Sequence, residues 1–153
     1  MKQDEEAHLL KYAEDAFAFL ETAGASLQTF SAPHWTTLAY CLPELTVEVN
    51  LDWREELAEV LVRKPGPDCP AEGYYVCRGQ VIRHHLCEAL ALVGVSAAIG
   101  LCEGRDHPKT PQGAETIRLR LETDAGLLSS SVDRLIAGSE ALFPATDAGD
   151  EFD

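Results

Sequence analysis

The chain has 153 residues, with 12 lysines and arginines against 26 aspartates and glutamates, a formal charge of −14 with histidine neutral. A phosphate backbone is bound chiefly through positive charge, so this balance excludes ordinary nucleic-acid binding. With 46% hydrophobic residues the chain belongs with folded domains rather than acidic tails, and its length suits one domain that needs neither disulfides nor a structural metal.

The opening stretch, MKQDEEAHLLKY, has acids where a secretory leader is basic, which predicts no export signal and a cytoplasmic protein. Leu9, Leu10, Ala13, Phe17 and Leu20 recur at helical spacing and predict a helix over residues 4–23. Asp4, Glu5 and Glu6 suit its N-terminal dipole, and Gly24 ends it. A polar connection containing Pro33 follows. Residues 36–42 are rich in β-formers and stop at Pro43, which predicts a strand. Leu45, Val47, Val49 and Leu51 alternate with Thr46, Glu48 and Asn50, so residues 45–51 form the clearest strand.

The segment DWREELAEVLVRKP has two incompatible readings. As a helix, Asp52 caps it, Glu55 completes a capping box, and Trp53, Leu57, Val60 and Leu61 share one face. As a hairpin, residues 52–56 turn the chain and residues 57–63 return beside the preceding strand, using the β-branched Val60 and Val62.

Residues 64–73 are a Pro/Gly loop. Residues 74–77 predict a short strand, Arg78-Gly79 a turn, and Ile82, Leu86, Ala89, Leu90 and Val93 a second amphipathic helix. Residues 95–102 predict a buried strand. The uncharged run over 89–102 is shorter than the roughly 20 residues of a membrane span, so no membrane association is expected. After a long connection over 103–115, Ile117, Leu119 and Leu121 alternate with Arg118, Arg120 and Glu122, which predicts a last strand. Leu128, Val132, Leu135, Ile136, Leu142 and Phe143 mark a third helix over 127–143, closed by Pro144. The element order predicts an α+β fold: a single domain over residues 1–146, with helices packed on a mostly antiparallel sheet. The acidic residues 147–153 are expected to form a disordered tail.

Cys41, Cys69, Cys77, Cys87 and Cys102 make an odd count at irregular gaps, read as five reduced thiols. The densest reactive cluster is RHHLCE, where a helix would set His84 facing Cys87 and Glu88. No CxxC or HxxxH pair begins a zinc cage, and no glycine-rich phosphate cradle occurs. The chain is therefore expected to be no enzyme, with no catalytic residues, no metal and no cofactor. Charge is more informative. Residues 44–59 concentrate acids, and Glu48, Asp52, Trp53, Glu55, Glu56 and Glu59 are read as a ridge that binds a basic protein partner, with Trp53 as an aromatic anchor.

The succession of elements, with the C-terminal stretch IRLRLETDAGLLSSSVDRLIAGSEALF as its closest local pattern, resembles the type III secretion chaperones and the related YbjN-like proteins. That resemblance implies a non-enzymatic, chaperone- or adaptor-like protein that holds another polypeptide, often as a homodimer. A second class fits the same composition: immunity proteins, small and acidic, that neutralise toxins such as nucleases by covering their basic site.

Overall fold

The computed structural model describes residues 2–66, 75–95 and 113–144. The N-terminal helix α1 spans Gln3–Ala16, with Asp4, Glu5 and Glu6 in its first turn, and buries Leu9 and Ala13. It does not run on to residue 23 unbroken. At the buried Phe17 the chain leaves helical geometry, and the short α2, Ala18–Thr22, resumes beyond it before Gly24 turns at φ 109°. That break turns Phe17 and Leu20, both fully buried, into the core.

Four strands then follow as an antiparallel meander: β1 (Ser26–Ala32), β2 (Trp35–Cys41), β3 (Thr46–Asp52) and β4 (Leu57–Arg63). The hairpin reading of residues 52–63 is the one the fold adopts, with Val49 opposite Val60. The polar connection around Pro33 is instead strand β1 and a tight turn. SLQTFSA hides its nature because it is an edge strand: it is largely exposed, and its two large apolar residues, Leu27 and Phe30, fall on opposite faces. A short hairpin, β5 (Val76–Cys77) and β6 (Gln80–Val81), turns through Arg78 and Gly79, both at positive φ. Next comes β7 (Arg83–His85), which pairs antiparallel with β4 and completes a five-stranded sheet of order β1-β2-β3-β4-β7.

The remaining helices are α3 (Leu86–Leu92), α4 (Gly113–Ala137) and α5 (Ser139–Leu142). The second predicted helix thus loses residues 82–85, three of them to β7. The larger correction concerns residues 117–122, expected as a strand and found inside α4. Ile117 and Leu121 are fully buried while Leu119 is 55% exposed, which a helix produces and an alternating strand does not. Three apolar residues at every second position satisfy both a period of two and the i, i+4 spacing of a helix. The tie is broken downstream, where Ala125, Leu128, Val132 and Leu135 continue one helical stripe.

Leu38, Tyr40, Val47, Val49, Val60 and Val62 all point to one face of the sheet, where they join Leu9, Phe17, Leu20, Leu86, Leu90 and the α4 stripe in one core. Helix α4 lies across this face, against α1, α3 and β4. Burying each such side chain contributes roughly 1.5–3 kcal/mol, so this layer dominates the stability of the fold. The architecture is α+β, with a mostly antiparallel sheet. Among the described residues no helix is long and apolar enough to cross a membrane. The strand expected over 95–102 and the acidic tail over 147–153 lie outside the described residues, apart from Val95, which is in neither helix nor strand.

Candidate functional site

The second face of the sheet carries the alternate residues, and there polar groups are buried beside apolar ones. Glu48 opposes Ala39 on β2 and Leu61 on β4, and all three are nearly inaccessible. A buried carboxylate needs hydrogen-bonded partners of opposite charge. Arg83 on β7 supplies them in a two-pronged grip, Nε donating to Oε1 at 2.7 Å and Nη2 to Oε2 at 3.2 Å. Arg63, at the end of β4, brings its Nε to 3.3 Å from Oε2. Nearby, Thr37 Oγ1 donates to Asn50 Oδ1 at 2.6 Å, tying β2 to β3.

Two depressions flank this network, at opposite ends of the strands. The first, of about 220 Å³, sits where β2 begins and β3 ends, walled by Trp35 and Leu57, with Thr37, Asn50, Asp52 and Glu59 as its polar lining. The adjoining β3–β4 turn is set by Asp52, whose Oδ1 accepts the backbone N–H of Glu55 at 2.9 Å, and by Glu56 in the left-handed region at φ 56°. The second depression, of about 410 Å³, lies where β2 and β4 end, with Phe30, Leu42, Pro43 and Pro65 around the Arg63 guanidinium.

The six residues expected to form one acidic ridge therefore separate. Glu48 is 3% exposed and locked to Arg83, and Trp53 is 7% exposed. The Trp53 indole Nε1 donates to Thr36 Oγ1 at 3.1 Å, and its backbone N–H donates to the His34 carbonyl at 2.8 Å, so the ring ties the β3–β4 turn to β2 and the backbone ties it to the β1–β2 turn. Neither side chain stands as an exposed anchor. Asp52, Glu55, Glu56 and Glu59 do gather at one end of the sheet, with Glu55 exposed and the other three half-buried. The indole at the acidic cavity is Trp35, which the charge count passed over because it stands outside the acidic segment.

The RHHLCE cluster is also taken apart. His84 is a buried strand residue whose Nε2 donates to the Leu142 carbonyl at 2.7 Å, while Nδ1 meets Glu88 Oε1 at 2.5 Å. Gln80 Nε2 donates to the Phe143 and Pro144 carbonyls, so these two side chains cap the end of α5. With both ring nitrogens engaged, His84 holds structure together. Cys87 is disulfide-bonded, whereas Cys41 and Cys77 are free, which corrects the expectation of five reduced thiols. The parity of a cysteine count says nothing about which sulfurs the fold brings together. Titration of the denatured, unreduced protein should find at most three free thiols, and five would contradict the bond.

On the other face, burial, with Glu21 and Glu14 adding to it, pushes the Tyr40 phenol far above its ordinary value, and its hydroxyl has no hydrogen-bond partner among the described residues. A shallow groove between α1 and α4 holds Tyr12, whose phenol donates to Glu122 Oε2 at 3.2 Å and is raised by desolvation and that carboxylate. Among the described residues no group of three or more histidine, cysteine or acidic side chains is placed to hold a metal ion. Comparison of the chain with family models, with curated proteins and with solved structures finds no match.

Proposed function

We propose that this chain is a non-enzymatic protein-binding module, chaperone- or adaptor-like, that receives a basic side chain of a protein partner in the cavity between Asp52 and Glu59. The observation that carries this reading is the composition of that cavity: two carboxylates, the Trp35 indole and Leu57 around a volume of about 220 Å³. A lysine or arginine side chain has an aliphatic stem that suits Leu57, a head that the carboxylates attract, and a charge that favours an indole face. Glu55 and Glu56 beside the mouth, on a chain of net charge −14, add long-range attraction for a basic surface. Glu48 and Trp53 serve this reading indirectly, by fixing the strands and the turn that present the cavity.

Two lysine-containing peptides of different length and an uncharged control test it by isothermal calorimetry. Binding of the lysine peptides should weaken as salt rises, because the Debye length falls from about 30 Å at 0.01 M to about 3 Å at 1 M. Asp52→Asn with Glu59→Gln should weaken it by roughly tenfold or more. Equal binding of the uncharged control, or indifference to the double substitution, refutes the reading. The immunity role uses the same acidic end and differs in outcome: the partner would be a folded basic enzyme that loses activity on binding.

A further inference from the structure

We infer that the depression at the other end of the same sheet face is a binding site for a carboxylate with an apolar body, anchored by Arg63. The site is independent of the acidic cavity, which lies about 14 Å from Glu48 and about 20 Å from Thr46 along β3, taking Asp52 as its position at roughly 3.4 Å per residue.

Glu48 has little left to offer a second arginine. Both of its oxygens accept from Arg83, at 2.7 and 3.2 Å. Arg63 comes within 3.3 Å of one of them, yet its N–H misses the lone pairs, and Arg63 Nε is buried without a hydrogen-bond partner among the described residues. Nε itself is covered and faces Glu48, so an oxyanion in the cavity would meet the part of the Arg63 side chain that lines it, giving a cation whose own ion pair is poorly aligned a second partner. Space for it exists: Arg63 borders a cavity of about 410 Å³. The remaining lining decides the ligand's body. Phe30, Leu42, Pro43 and Pro65 offer apolar surface, and Gln28 and Thr46 add hydrogen-bonding groups nearby. A planar guanidinium at the side of an apolar depression selects a carboxylate in preference to an amide or an alcohol, because only the anion brings opposite charge and two oxygens that can accept in parallel. A polyanion fits poorly, since the Glu48 carboxylate borders the same cavity and the chain as a whole repels it.

Such a group could be a free aliphatic acid or the C-terminal residue of a polypeptide. The two share the anchoring chemistry, and the experiment separates them. The full chain, labelled with nitrogen-15, is titrated with hexanoate, with hexanamide and with N-acetyl-Gly-Leu at constant ionic strength, following the Arg63 Nε–H signal and the backbone amides of Gln28 and Thr46. Hexanoate or the peptide acid should move these signals along a saturable curve, with hexanamide at least roughly tenfold weaker. Tighter binding of the peptide assigns the site to a polypeptide terminus, and tighter binding of hexanoate assigns it to a small free acid. Arg63→Met should abolish the response while the Arg83 Nε–H signal stays in place, which shows the Glu48–Arg83 pair intact and the fold retained. Equal response to hexanoate and hexanamide, no saturable response to either acid, or wild-type binding by Arg63→Met would overturn the assignment. None of these outcomes bears on the lysine peptides, so failure here and failure of the acidic cavity are told apart.

Discussion

The two faces of the sheet are built on different principles. On the helix-covered face the buried residues are Leu38, Val47, Val49, Val60 and Val62, any of which is satisfied by neighbours that are apolar and of the right size. On the second face Thr37, Glu48, Leu61, Arg83 and His85 are buried as well, yet several of them need one particular partner at one particular place. Structural uniqueness comes from the polar face. Shifting β3 by one residue against β2 and β4 would drive Glu48 into the helical core and detach it from Arg83, so the polar face specifies the register that the apolar face fills.

The largest effect is expected from placing a charge on each side of α4 in turn. Leu121→Asp buries an unpaired carboxylate in the core and should cost about 4 kcal/mol or more, enough to abolish cooperative unfolding in urea. Leu119→Asp, two residues away on the exposed side, should change stability by no more than about 0.5 kcal/mol. Comparable damage from both would restore the strand reading of that segment.

On the second face Glu48→Ala leaves the Arg83 guanidinium buried without its carboxylate, and the urea midpoint should fall by the equivalent of about 3–5 kcal/mol. A cost below about 1 kcal/mol would mean that the pair is wetter than its geometry indicates. Thr37→Val removes the donor to Asn50 while keeping the shape, and should cost about 1 kcal/mol by the same measurement. The smallest effect is a gain. Arg78 holds φ 54° next to Gly79 in the β5–β6 turn, and Arg78→Asn would install the residue pair that this turn prefers. The expected stabilisation is about 0.5 kcal/mol, seen as a small rise in Tm, and a fall would show that the Arg78 side chain matters more than its backbone.

Which parts of this were legible in the sequence follows from the same contrast. Strand β3 was readable because Val47, Val49 and Leu51 alternate with polar neighbours, β2 because residues 36–42 are rich in β-formers and stop at Pro43, and the β5–β6 turn because Arg78-Gly79 is a local signal. Strand β1 was hidden by its place at the edge, and residues 117–121 were misread because three positions cannot separate two periods. Clustering of acids at the β3–β4 end was visible in the charge count. Alternation assigns a residue to a face but not the depth of that face, so it could not show that Glu48 and Trp53 are covered. The grip of Arg83 on Glu48 spans 35 positions and left no local trace.

The placement of the tryptophans makes the molecule report on itself unevenly. The chain has two, Trp35 at the acidic cavity and Trp53 in the turn beside it, both at the same end of the sheet. Trp53 is buried with its indole N–H hydrogen-bonded, whereas Trp35 is half-buried at the mouth of a depression, so intrinsic fluorescence should contain a constant emission and an environment-sensitive one. A cation entering between Asp52 and Glu59 would shift or quench the sensitive component without any label. Occupancy near Arg63 would leave the emission unchanged, making the protein optically blind at one end and responsive at the other.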